Sequence, residues 1–488
     1  MARPLVVRLL LIPALFRVAL LGTSLSAQTG PASAPVSSPL AEGRALLAAG
    51  DRAAAQAKFE EALLAAPGSA EAHDALGFVL GLQGRTDEAV AEFRKAIASN
   101  PSLFDARYHL GATLWWTGDP DGALGELKEA VRLRPRHAEA RYYLGLTLKR
   151  KGETKPALDE LRQAVKLAPS LAVARLHLGV TLQEMGDFEG AVAELRRAVA
   201  LAPDLADARN SLGLALMQKG EAEEAVATLR ALVADHPEDP AARHNLGSAL
   251  MQKGDLDGAI GVYRELLAGA EGTADDHYNL GMALKQKDQF TEAETELRRA
   301  IAKDPSLPEA HFTLGVVLWQ TGRADDALRS FDDAITQRDD YAEAHYMRAT
   351  VLKQQGRLDE AIAGFREAIR RQPASAEAHL SLGQALQQRR DPAAAASLAE
   401  AERLNKKKAD AQAAAFALSA GRGRMDKGDV AGAVASFREA VRLAPENAAA
   451  HYQLGLALRK QGARAEARRH LDEAHRLAPY LEPPGPTG

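Results

Sequence analysis

Residues 138–171 read AEARYYLGLTLKRKGETKPALDELRQAVKLAPSL, and a close variant of that phrase starts at Phe104 and again at Ala172. Within it Tyr142, Leu144, Thr147 and Leu148 fall at spacings that place them on one helical face. Gly152 interrupts the pattern, and Ala157, Leu158, Leu161, Ala164, Val165 and Leu167 set up a second helix. Pro169 ends that helix, because proline lacks an amide proton and clashes with the preceding turn. No stretch alternates as a strand would. The phrase therefore encodes two antiparallel helices joined by a tight turn.

Outward from this phrase the beat is constant. Glycines recur every 34 residues at Gly43, Gly77, Gly111, Gly145, Gly179, Gly213, Gly247, Gly281 and Gly315. Alanines keep the same interval from Ala55 through Ala157 to Ala361 and Ala395. A fixed period of this length predicts an all-α solenoid of stacked helix pairs, with no single closed core. Units begin at Val36, Ala70, Phe104, Ala138, Ala172, Ala206, Pro240, Ala274, Pro308, Ala342 and Ala376 and, after a slip in phase, at Ala414 and Ala448. Gly145 and Ala157 are placed where the paired helices approach most closely. Acids such as Glu139, Asp207 and Glu343 open first helices, and Lys151, Lys219 and Lys253 close them, as the helix dipole favours.

The order Leu-Gly, a small residue after the turn, a large apolar residue, Ala and Pro occurs as Leu110-Gly111, Ala123, Leu127, Ala130 and Pro135. It returns as Leu178-Gly179, Ala191, Leu195, Ala198 and Pro203. In this the chain resembles the tetratricopeptide-repeat (TPR) family over residues 36–481. The resemblance implies a right-handed superhelix whose first helices line a concave, protein-binding groove. It also allows two of the family's uses to be compared. The slots of a basic-plus-asparagine clamp for chaperone tails hold Tyr142 and Leu146, then Leu176 and Val180, so that clamp is missing. The asparagine ladder of repeats fused to a sugar transferase is reduced to Asn245 and Asn279, between Ser211 and Thr313.

The remaining segments set the domain plan. Residues 1–27 carry Arg3 and Arg8, an apolar run broken by Pro13 and Arg17, and then small residues, the layout of a signal peptide. The broken run does not predict a stable membrane span. Residues 28–35 read as a linker, 36–404 as eleven repeats, 405–413 as an irregular helical insertion, 414–481 as two more repeats and 482–488 as a disordered tail. Residues 393–420 lack Gly and Pro and should fuse two helices across the slip. Ser38-Pro39 and Glu42 mark an N-terminal cap, and Arg468 a C-terminal one. Glu271 stands in a proline slot between Gly269 and Gly272, where a looser joint is expected.

Composition narrows the function. The formal net charge of −4 argues against a nucleic-acid binder, and the absence of cysteine excludes disulfides and thiolate chemistry. His277, His311, His345 and His379 share a slot with Arg107, Arg141, Arg175, Arg209 and Arg243. Equivalent atoms one repeat apart lie about a helix diameter from each other, too far for a shared metal ion. No cofactor, metal or catalytic residue is expected, and the chain is not read as an enzyme.

The candidate partner-binding residues lie on first helices. Tyr108, Tyr142, Tyr278, Phe312 and Tyr346 form one row, and Trp115 and Trp319 belong to another. Beside the second row run Gln218, Gln252, Gln286, Gln320, Gln354 and Gln388. Trp115-Trp116 with Tyr108, Tyr142 and Tyr143 is the densest aromatic cluster. Rings flanked by amides suit an extended peptide. Equally, the aromatic row suits packing between repeats, and the glutamines a solvated helix face. The sequence thus predicts a scaffold for other proteins or peptide segments, exported to a bacterial envelope, with a cytoplasmic location as the alternative. A regulatory or substrate-presenting subunit of a separate enzyme is a second reading, and self-association through uncapped ends a third.

Overall fold

A computed structural model describes residues 38–269 and 272–478, which form 25 α-helices and no strand. The leader 1–27, the linker 28–35, the tail 482–488 and Glu271 of the expected joint lie outside the described residues. The chain divides into two units, up to Val262 and from Tyr263. In each, a first helix of 13 or 14 residues alternates with a second of about the same length, as in Ala138–Arg150 and Thr154–Leu167. The opening helix Pro39–Ala48 is shorter, with the Ser38 side chain accepting from the Ala41 amide and Pro39 in the first turn.

The interior of a repeat is built on one close approach. A Cβ added to Gly145 would lie 2.8 Å from Leu161 Cγ, and one added to Gly111 would lie 2.6 Å from Leu127 Cγ. Only glycine lets the facing leucine fill this space, and Leu127, Leu161 and Leu195 are wholly buried. The tenth repeat solves the same problem in reverse. Ala349 stands in the glycine slot, and Gly364 on the facing helix makes room, its absent Cβ falling 2.9 Å from that of Ala349.

The eleventh repeat departs from the rest. Gly383 meets Leu398, fifteen residues on, whereas Gly145 meets Leu161 and Gly421 meets Phe437, sixteen residues on. One residue has been lost from the turn, so the buried alanine is Ala394, and Ala395, which the periodicity assigns to that place, is exposed. The helix that starts here, Ala394–Asp426, runs for 33 residues. Residues 405–413, read from the sequence as an irregular helical insertion, lie inside this helix. Beyond it Phe437, Val434, Leu454 and Leu458 form a separate small core with Leu418 and Met425 packed against it.

Candidate functional site

First helices of neighbouring repeats are joined by side chains 35 residues apart. Asp74 Oδ1 lies 2.8 Å from His109 Nδ1, Asn245 donates to Asn210 Oδ1 at 2.7 Å, and Tyr346 and Ser381 hydroxyls are 3.3 Å apart. Tyr108 and Tyr143 rings pack at 6.1 Å, and Tyr142 and His177 at 5.7 Å. Tyr278 is hydrogen-bonded to Thr313 on the same interval. The aromatic row read from the sequence is thus one side of a ladder of contacts between successive repeats. Tyr108, Tyr142 and Tyr143 are only 7, 9 and 8 % exposed, and burial raises all three phenol pKa values. As candidates for direct partner contact these three give way to an interior role. Phe312 is half-buried against Phe331 and Tyr341; Tyr278, Asn279 and Tyr346 are also half-buried.

A second ladder of the same interval runs along the last helical turns. Arg150 donates to the Trp115 carbonyl at 2.8 Å with its guanidinium 5.3 Å from the indole centre, and Lys149 pairs with Glu184 at 2.9 Å. Gln252 donates to the Met217 carbonyl at 2.8 Å, and Trp319 Nε1 donates to Gln354 Oε1 at 2.7 Å. Gln252 and Gln354 therefore reach back to the preceding repeat. Both belong to the glutamine row read from the sequence, whereas Arg150 and Glu184 are not among the residues singled out there. Their signal is an offset of one residue between adjacent rows.

The Trp115–Trp116 pair differs from Trp319. The two indoles meet edge-on at 5.2 Å, and Trp115 also packs on Tyr143 at 5.9 Å. Both residues are half-buried, yet both Nε1 atoms are shielded from solvent and have no hydrogen-bond partner in the chain. A buried donor left unpaired costs roughly 1–3 kcal/mol.

The slot shared by Arg and His has a structural task. Arg141 donates from Nε to the Pro135 carbonyl at 2.7 Å and from one terminal nitrogen to Glu160 at 2.6 Å. His73 divides the same work between its nitrogens, 2.6 Å from Glu92 and 3.0 Å from the Pro67 carbonyl. In these repeats the side chain ties the first helix to the loop before it and to the second helix of its own repeat. Where Pro120–Leu133, Ala138–Arg150 and Thr154–Leu167 meet, a cleft of about 620 Å³ is lined by Lys128, Arg132, Leu144, Leu148 and Glu160. A smaller one of about 230 Å³ lies two repeats earlier around Glu60, Leu76, Leu80 and Glu92, at the same register. Such a crevice belongs to the stack itself.

With the geometry in place, comparison identifies the family. The tetratricopeptide-repeat model matches residues 40–104, 79–124, 108–172, 218–275 and 278–343, and a second TPR model matches 182–220, 349–389 and 421–462. The chain belongs to the tetratricopeptide-repeat family. Among solved structures it is similar to YrrB, described as a TPR protein with an unusual peptide-binding site, at 28 % identity over 35 % of this chain and 88 % of that one, TM-score 0.32. It is similar to MamA at 27 % identity over 35 % of this chain and 92 % of that one, TM-score 0.32. It is similar to a thermophilic TPR protein of Thermus thermophilus at 28 % identity over 37 % of this chain and 97 % of that one, TM-score 0.30. No curated protein matches it. Among the described residues of this TPR chain, no helix is long and apolar enough to cross a membrane.

Proposed function

We propose that this TPR protein is a non-enzymatic scaffold that holds extended or helical segments of partner proteins against its first helices. The observation that carries the proposal is the Trp115–Trp116 pair with its two unpaired indole N–H groups. Aromatic side chains at a half-buried surface make efficient anchors, and an unpaired donor gains a bond only when a ligand supplies the acceptor. A peptide carbonyl or carboxylate beside Trp116 would meet that need, with Arg150 adding charge. Family membership supports the general reading, since such repeats bind other proteins or peptides.

The test keeps the rings and removes the donors. The full chain and its Trp115→Phe/Trp116→Phe variant are compared in a quantitative pull-down from the native organism's extract, with circular dichroism to verify equal helicity. The proposal expects a discrete set of proteins on the parent chain, reduced at least about tenfold on the variant. Equal retention would move recognition away from this pair.

A further inference from the structure

The interrupted stack between the eleventh and twelfth repeats leaves a seat for a helix. In every continuous part of either unit, a first helix is flanked by the second helix of the repeat before it, as Ala172–Glu184 is by Thr154–Leu167. The third residue of the first helix fits that contact. Ala106, Ala140, Ala174, Ala344 and Ala450 occupy it and are 0 % exposed. In the twelfth repeat the first helix is the C-terminal half of Ala394–Asp426, and the preceding second helix is its own N-terminal half. A straight helix cannot fold back to cover itself. The residue in the slot is Phe416, and it is 78 % exposed.

The two sides of the interruption are finished differently. On the outgoing side of the eleventh repeat, Ala395 and Glu402 stand, both exposed, where Leu158 and Val165 are buried in the fourth. That side is closed with small and polar residues, as an array end should be. On the incoming side of the twelfth repeat the small residue has been exchanged for a large apolar one. Just before it, Lys406, Lys407 and Lys408 are exposed and make no ion pair among the described residues, while Arg403 pairs with Glu400 at 2.6 Å. A second copy docking by the same stretch would bring its own lysines against these, and the last described second helix, Arg464–Leu477, presents exposed Arg468 and His475 on its outgoing side. The charge calls for an acidic occupant.

We propose that this seat takes an acidic amphipathic helix of a partner protein. The helix runs antiparallel to residues 414–426, its apolar face on Phe416 and its acidic C-terminal end toward Lys406 and Lys408, which lie about 80° to either side of Phe416 around the helix, with Lys407 on the far face. This site is separate from the Trp115–Trp116 surface and does not depend on it.

A suitable probe is adapted from the chain: the second helix Ala324–Gln337 (ADDALRSFDDAITQ) carries four aspartates and one arginine and fills the corresponding place in its own repeat, and its uncharged end Ile335-Thr336-Gln337 is changed to three glutamates. A fluorescein-labelled peptide of the changed sequence is titrated with the full chain and followed by anisotropy. A peptide copying Arg464–Leu477, with four arginines, serves as the charge control. The acidic peptide should bind saturably and at least about tenfold tighter than the control. Phe416→Glu, and separately the joint change of Lys406, Lys407 and Lys408 to Glu, should each weaken it at least about tenfold, with helicity unchanged. Equal binding of the two peptides, no saturable binding, or indifference to Phe416→Glu would overturn the proposal. So would sedimentation at twice the chain mass of 52.1 kDa that returns to 52.1 kDa in Phe416→Glu, which would give the seat to a second copy.

Discussion

The step from the fourth repeat to the fifth and the step from the eleventh to the twelfth start from similar helices and end differently. At the first, the helix stops at Leu167, the Ala168 amide closes on the Ala164 carbonyl at 2.9 Å, and Pro169 opens a short loop to Ala172. Arg175 then reaches back to the Pro169 carbonyl at 2.8 Å and to Glu194 at 2.5 Å. At the second, Lys406 stands in the proline's place and the helix continues to Asp426, with residues 402–413 exposed or half-buried throughout. Alanine-rich helices propagate unless stopped. Stacking therefore depends on residues that end helices as much as on those that fill interfaces.

The hardest way to break this comparison is to give the bare stretch a proline. Ala409→Pro removes a helix hydrogen bond and clashes with the preceding turn, at a cost of about 3 kcal/mol or more. Amide hydrogen exchange should show residues 402–413 losing protection, and limited proteolysis should cut there. The separate core around Phe437 and Leu454 should keep its protection. Pro169→Ala is the complementary change. Since the carbonyl and amide ends of that loop are already bonded, it should cost no more than about 1 kcal/mol by thermal melting. A loss from Pro169→Ala as large as that from Ala409→Pro would mean that the proline itself, and not the bonded ends of its loop, ends the helix there.

A smaller effect is expected inside the tenth repeat. Gly364→Ala puts a methyl against that of Ala349 and should cost about 1–3 kcal/mol by overpacking. Adding Ala349→Gly restores the arrangement of the other repeats and should recover most of the loss. Thermal melts of the two single variants and the double give the coupling directly. Additive losses would show that the two positions do not share the space.

Much of this was legible because a repeated interval averages away local ambiguity. The helix pair, the turn at Gly152 and the small pair Gly145–Ala157 could be read from residues 138–171 alone. Three features were hidden, each because it depends on geometry between repeats. Tyr142 and Tyr143 read as groove aromatics, but whether an aromatic on a first helix faces a partner or the next repeat turns on an offset of one residue. Gly364 gives no periodic signal, since it compensates a missing glycine on another helix. The deletion before Ala394 is a single residue in a turn, and periodicity alone still points to Ala395.

The Arg and His slot sharpens the comparison between repeats further. Arg175 bonds both a loop carbonyl and Glu194, whereas His345 bonds the Asp339 carbonyl at 3.1 Å and faces a repeat in which the glutamate's place is taken by Gly364. Arg175→Ala takes the donor from the Pro169 carbonyl and one of two guanidinium partners from Glu194, which keeps Arg197, and should cost about 1.5–3 kcal/mol as the loss of a charge-assisted bond. His345→Ala should cost about 1 kcal/mol, the net worth of one ordinary hydrogen bond. Urea titrations of each variant measure both. Equal costs would remove the glutamate from the account.

The mildest prediction concerns the turns. Eleven repeats turn through a glycine at positive φ, such as Gly84, Gly152 and Gly428, but the eighth uses Asp288 and the eleventh Arg390, each at φ 57°. A left-handed conformation costs an ordinary L-residue about 1–2 kcal/mol, less for aspartate, whose short side chain can bond locally. Glycine removes that strain and gives back part of the gain through its freer unfolded chain. Arg390→Gly should therefore stabilise by about 1 kcal/mol and Asp288→Gly by about half as much, read as raised denaturant midpoints with unchanged slope. Because Arg390 precedes the long helix, its gain should show as stronger amide protection in Ala376–Gln388 and at the start of Ala394–Asp426. A loss of stability in Arg390→Gly would mean that the arginine side chain itself holds the shortened turn, and the one-residue deletion would then have a local partner that its backbone alone does not reveal.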